Sequence, residues 1–141
     1  MHYSCMNRAE VITYALIHAA HNIEQQFEEA LAPVDLSGPK LAALSVIMAE
    51  GQPISLRELA SKLSCVRSNI TQLVDRLEKQ GLVKRTDDPM DRRGVRAELT
   101  PLGRARYQAG VKAANKIHDA ISKKLSGADL TALERALKAL A

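Results

Sequence analysis

The segment from Arg67 to Arg76 carries side chains suited to reading the edges of base pairs. Arg67, Ser68, Asn69, Thr71, Gln72, Asp75 and Arg76 are interleaved with Ile70, Leu73 and Leu77. On a helix that spacing puts the aliphatic residues on one face and the hydrogen-bonding residues on the other. Asn and Gln can pair with adenine, Arg with guanine, and Ser or Thr with phosphate or a thymine methyl. Further on, Arg92 and Arg93 stand in a polar segment with Pro89, Asp91 and Gly94. Arginines on a projecting loop suit a narrow minor groove, whose negative potential attracts them. Asp91 suits the cap of a turn there. On an isolated helix a polar face is ordinarily just solvated, so the reading depends on the elements that would present these residues.

Those elements are mostly helical. Ile12, Leu16, Ala19, Ile23, Phe27 and Ala30 form one stripe over 8–31, and Pro33 ends that helix. Ser37, with Pro39 in the first turn, opens a second helix that turns Leu41, Leu44, Ile47 and Met48 inward and stops at Gly51. Ser55 and Glu58 form a capping box before Leu56, Leu59, Ala60 and Leu63. A tight turn at Ser64-Cys65 then leads to a helix from Val66 to Gln80, closed by Gly81. Two helices joined so closely, each with one apolar face, read as helix-turn-helix. Strands are expected over 82–85 and 95–99, with a long charged tip, Thr86 to Gly94, between them: a wing. Thr100-Pro101 starts a long helix, with Leu102, Ala109, Ala113, Ile117 and Ile121 inward. Ser126-Gly127 breaks it, and a last helix bears Leu130, Leu133, Leu137 and Leu140. The fold class is mainly α: a winged helix-turn-helix with helical N- and C-terminal dimerisation elements. The chain reads as one domain, 1–141, with a DNA-binding lobe at 36–103 and dimerisation helices in 1–35 and 104–141. The amphipathic stripes of the outer helices find no partner in the central module, so a second copy is the simplest cover.

Charge supports this reading. Between Ser55 and Arg106 stand 12 Lys/Arg against 7 Asp/Glu, although the whole chain carries a formal charge of +4. The positive excess therefore lies in the middle third, as a phosphate-binding module requires. Lys62, Arg57, Lys84 and Arg85 are further candidates for phosphate contact. With 46% hydrophobic residues and no apolar run of membrane length, the chain reads as soluble and globular. No secretory signal pattern opens it, and a cytoplasmic location without a membrane partner is expected. Two cysteines, Cys5 and Cys65, exclude a disulfide scaffold and a four-Cys zinc site. They are expected as free thiols, with Cys65 a small buried hydrophobe. His18, His21 and His118 read as surface histidines, without the converging ligands that a metal site needs. Neither a nucleophilic triad nor a Gly-rich phosphate loop is present, so an enzyme is not expected, and no cofactor is called for. The competing reading is a winged-helix module that binds protein without specific DNA binding.

Several spacings match one known family together. Leu59-Ala-Ser-Lys-Leu63, Arg67-Ser-Asn-Ile-Thr71, Leu73-Val-Asp-Arg-Leu-Glu-Lys-Gln-Gly-Leu-Val-Lys-Arg85, Asp91-Arg-Arg93 and Leu99-Thr-Pro-Leu-Gly103 resemble the MarR family of winged-helix regulators over nearly the whole chain. The resemblance implies a homodimeric transcription regulator, by family habit a repressor, on a double-stranded, pseudo-palindromic DNA operator. It implies a recognition helix in the major groove and a wing in the minor groove, with Arg93 the groove residue. It implies that Asp91 orients the wing by pairing with a nearby arginine, Arg76 or Arg67. It also implies release by a small-molecule or redox signal, a small aromatic or phenolic effector being the family's usual kind. The sequence departs from the pattern at Val66, where a Ser, Thr or Asp cap is usual. The peroxide-sensing arrangement of some relatives is not reproduced, since Thr13 holds the place of their cysteine and Gly38 precedes Pro39.

Overall fold

The computed structural model describes residues 5–63 and 69–141. Six helices and three strands follow in the order α1 (Arg8–Leu31), α2 (Gly38–Glu50), β1 (Ile54–Ser55), α3 (Leu56–Lys62), α4 (Ile70–Lys79), β2 (Val83–Asp88), β3 (Asp91–Leu99), α5 (Pro101–Lys124) and α6 (Gly127–Leu140). A 3₁₀ turn, Ala32–Val34, joins α1 to α2.

Side-chain caps start the helices. Ser37, Ser55, Thr100 and Ser126 each accept a backbone N–H three residues on. At α1, Asn7 and Glu10 form a reciprocal capping box, with both bonds at 2.9 Å. Helix α4 ends at Gln80, and Gly81 takes a left-handed φ of 75°. There the N–H groups of Gly81 and Leu82 bond the carbonyls of Glu78 and Leu77, each at 2.9 Å. That double closure satisfies two orphan carbonyls and turns the chain directly into β2.

The sheet is antiparallel in the order β1-β3-β2. β1 was not foreseen: it is two residues long, and Ser55 serves both as its second residue and as the cap of α3. The hairpin also departs from expectation. Thr86 to Gly94 is not a long loop, because the ladder continues to Asp88↔Asp91 and leaves Pro89-Met90 as the tip. A register shift between Asp87 and Asp88 absorbs the irregularity.

The core lies inside the lobe. Leu44 and Ile47 of α2, Ile54, Leu59, Leu63, then Leu73, Val74 and Leu77 of α4, Leu82, Val83 and Ala97 form one buried cluster, extended by Leu31 and Leu36. Helix α5 leaves this lobe through a tight crossing. Thr100 donates its N–H to the Leu82 carbonyl at 3.1 Å and its hydroxyl to the Gly81 carbonyl. A Cβ on Gly103 would lie 1.9 Å from the Leu82 oxygen. The Leu-Thr-Pro-Leu-Gly run at 99–103 is thus the corner where helix backbone rests on strand backbone.

The outer stripes are not buried as expected. Ile12 and Ala19 of α1 are exposed, Leu102 of α5 is 50% exposed, and no residue of α6 is buried. On α5 the fully buried positions are Gly103, Gly110 and Ala114; Ala109, Ala113, Ile117 and Ile121 are half-buried. Within one chain α1 packs on α5, and that single contact cannot cover both stripes.

Gly103→Ala should therefore destabilise the fold by at least about 2 kcal/mol, because backbone must move to admit the methyl. Gly127→Ala, where the Cβ position is open, should change stability by less than about 1 kcal/mol. Urea unfolding of both variants checks this; equal midpoints would show that the crossing tolerates a side chain.

Candidate nucleic-acid interface

Helix α4 turns Leu73, Val74 and Leu77 into the core, and this leaves Thr71, Gln72 and Arg76 exposed on the opposite face. The described helix starts at Ile70, and the expected start at Val66 lies outside the described residues. Asn69 has extended backbone (φ −69°, ψ 108°) and caps it, its Oδ1 accepting from the N–H groups of Thr71 (3.1 Å) and Gln72 (3.4 Å). This supplies the cap that Val66 lacks. It also alters the chemistry of Asn69: bidentate pairing with adenine needs the amide oxygen, which here serves the helix, while Nδ2 meets no acceptor among the described residues. Arg67 and Ser68, together with the Ser64-Cys65 turn and Val66, lie outside the described residues.

The wing is organised by two aspartates and a glycine. Asp88 Oδ1 accepts the Met90 N–H at 2.9 Å, and Asp91 Oδ1 accepts the Arg93 N–H at 3.0 Å. Arg96 Nε lies 3.5 Å from Asp88 Oδ1 across the ladder. Gly94 fits between these carboxylate side chains: a Cβ there would stand 2.9 Å from Asp88 Cβ. Arg92 and Arg93 are exposed, and Met90 projects at the tip, 87% exposed. Asp91 shapes the local turn and forms no ion pair with Arg76; Arg67 is not described.

Ion pairs sort the basic residues. Lys84 pairs with Glu98 at 2.8 Å, Lys62 with Glu50 at 3.0 Å, and Arg85 of β2 with Asp75 of α4. Glu78 Oε2 also accepts the Arg85 N–H at 3.2 Å, so the wing strand is fastened to α4 at two points. Among the described residues Arg57, Arg76, Arg92 and Arg93 enter no ion pair. Three of the four lysines and arginines expected as phosphate contacts are thus already neutralised. The fourth, Arg57, shares with Arg93 a cleft of ≈ 460 Å³ lined also by Ser55, Leu56, Asp88, Asp91 and Val95. Sequence reasoning missed this meeting because it depends on β1 pairing with β3.

The remaining candidates stand apart. His18 and His21 are exposed on α1, and the His18 ring nitrogen lies 3.3 Å from Asn22 Nδ2. His118 is not partnerless, since its ring meets Phe27 edge-on at 5.4 Å. Among the described residues no three His, Cys, Asp or Glu side chains group to hold a metal. Cys5 is an exposed thiol, and Cys65 lies outside the described residues. No single helix described is long and apolar enough to cross a membrane.

The sequence profile of the MarR family matches residues 36–95. The chain is similar to the multiple antibiotic resistance protein MarR of Salmonella typhimurium, 31% identical over 111 residues that make up 77% of this chain and 75% of that protein. Against other curated HTH-type transcriptional regulators, from Bacillus subtilis and Escherichia coli, it spans 62%, 50% and 53% of their length. In fold it matches a mutant MarR of Escherichia coli complexed with operator DNA, with a TM-score of 0.82 and 27% identity over 97% of this chain and 99% of that one. It also matches an organohalide-sensing regulator, RdhR, in its 2,4-dichlorophenol-bound form (TM-score 0.84, 20% identity, 99% of this chain and 83% of that one). A shared stretch of this extent and identity, on a winged helix-turn-helix whose recognition face and wing carry unpaired arginines, shows that the chain belongs to the MarR family.

Proposed function

We propose that the chain is a sequence-specific DNA-binding transcription regulator, acting as a repressor in the cytoplasm, that binds a pseudo-palindromic operator as a homodimer and is released by a small-molecule signal. One observation carries this reading: the polar face of α4 and the wing both present arginines (Arg76, Arg92 and Arg93) that no carboxylate among the described residues neutralises. Unpaired cations on a groove-sized helix and a projecting hairpin suit phosphates and base edges. Thr71, Gln72 and Arg76 then face the major groove, with Asn69 donating from Nδ2, while Arg92 and Arg93 enter the minor groove and Asp91 holds the turn behind them; Arg67 and Ser68, expected to join them, lie outside the described residues.

The outer helices support the dimer. Ile12, Tyr14 and Ile17 of α1 and Leu133, Leu137 and Leu140 of α6 lie 38–69% exposed, apolar surface that a second copy would cover. Two copies related by a two-fold axis would place the two α4 helices about one helical turn of DNA apart, ~34–36 Å. For the signal, a concavity of ≈ 310 Å³ lies where the outer helices meet the lobe, with Pro33, Val34, Leu102, Ala105 and Ala109 as apolar walls and the Arg106–Asp35 pair as its charged groups. Its apolar walls suit a small aromatic ligand such as a phenol. The dichlorophenol-bound form of the RdhR regulator, a protein of the same fold, agrees with that class.

Arg93→Ala and Arg76→Ala should each weaken operator binding by about 1–3 kcal/mol and, where a phosphate contact goes, lower the salt slope by about 0.9. Lys84→Ala, whose ammonium already faces Glu98 at 2.8 Å, should leave both nearly unchanged. Titrations at several salt concentrations against duplex selected from a random library test the reading, and equal behaviour of all three variants would overturn it. The dimer is checked by sedimentation: the wild type should run as two chains, and Leu133→Asp combined with Leu137→Asp as one. A wild type that is monomeric at micromolar concentration would refute it.

A further inference from the structure

Between α1 and α2 the chain reverses through Ala32–Val34 and one left-handed residue, Asp35, at φ 55° and ψ 43°. It is the single non-glycine with positive φ among the described residues. Asp tolerates this region when its carboxylate finds a local partner, and here the partner comes from far along the chain. Gln80, which ends α4, donates from Nε2 to both the carbonyl and Oδ2 of Asp35, each at 2.9 Å. Oε1 of Gln80 is buried with no hydrogen-bond partner among the described residues. Exchanging the amide oxygen and nitrogen would set Oε1 against two acceptors, so the orientation is determined. From the other side, Arg106 of α5 donates from Nη1 to the Val34 carbonyl at 3.2 Å, and the same nitrogen lies 3.8 Å from Asp35 Oδ2.

The turn so held is the passage from the outer helix α1 into the lobe. Its two holders are the end of the recognition helix and the helix that runs from the lobe back to the outer layer. We propose that the Gln80–Asp35 clasp is a positioning device that sets the angle of α4 against the outer helices, and so the separation of the two recognition helices in the dimer and the half-site spacing the protein accepts. This rests on the reading of the chain as a DNA-binding dimer. Gln80 and Asp35 touch no base on this account; they act through the placement of α4.

The test uses full-length protein and a duplex selected by the wild type from a random library, remade with its halves moved one or two base pairs closer or apart. Each base pair turns one half-site by about 35° against the other. Wild type should lose at least about tenfold in affinity on displacement. Gln80→Ala and Gln80→Glu should flatten that profile to within about threefold, since the first removes the donor and the second sets a carboxylate against Asp35. Asp35→Asn keeps an acceptor and the left-handed preference, and should reproduce the wild-type profile. In the free protein, the Asp35 and Leu36 amides of Gln80→Ala should exchange at least about tenfold faster. Circular dichroism confirms that each variant is folded. A sharp spacing profile shared by wild type and Gln80→Ala overturns this proposal alone. A wild type that selects no duplex overturns the DNA-binding reading and the proposal with it.

Discussion

Burial of Leu73, Val74 and Leu77 fixes how helix α4 lies, and the interface follows from that. These residues occupy one face and close the lobe core against Leu59, Leu82 and Val83. Each contributes about 1.5–3 kcal/mol of transfer free energy. Rotating the helix to hide Arg76 or Gln72 would expose all three and bury polar groups without partners. The polar face is thus displayed because the apolar face has a single place to go. Asn69 and Gly81 complete the arrangement by capping the two ends, so that α4 enters and leaves the lobe at defined points.

The wing is held by different means. It has little apolar surface of its own, and Val95 is only half-buried. Its order comes from the β2–β3 ladder, from Asp88 and Asp91 bonding backbone N–H groups near the tip, and from Arg85, which ties β2 to Asp75 and Glu78 of α4. These contacts fasten the hairpin to α4. The same pairs consume basic residues that would otherwise count towards DNA contact. Among the described residues, those left unpaired include Arg76 on α4, Arg57 beside the cleft, and Arg92 and Arg93 near the hairpin tip.

The outer helices answer to another constraint. Their stripes reach the lobe core only in part, through Leu31, Tyr107 and Ala113, and α1 packing on α5 still leaves Ile17 of α1 60% exposed, while Leu140 of α6 is 69% exposed. Between these helices and the lobe stands the short turn at Ala32–Asp35, together with the glycine corner at Gly103. These two joints are the chain's links between the outer helices and the lobe.

Local chemistry legible in the sequence accounts for much of this. Ser37, Ser55, Thr100 and Ser126 start helices because a side-chain oxygen meets a nearby N–H, whatever lies beyond. The stripe Ile70, Leu73, Leu77 orients α4 because a period of 3.6 is a local property. The motif at 99–103 and its neighbours sufficed for the family. The residue types at the candidate interface were legible as well, but not which of them stay unpaired. That awaited the tertiary structure, for reasons of distance along the chain. Lys84 meets Glu98, and Arg57 joins Arg93, through strand register, and β1 exists only because β3 lies beside it. The wing ladder escaped notice because a hairpin solvated on both faces shows no alternation of apolar and polar residues. Asn69 as the cap of α4 was not legible because a cap depends on backbone dihedrals that composition does not reveal. Gln80 met Asp35 across forty-five positions, a contact that no periodicity encodes.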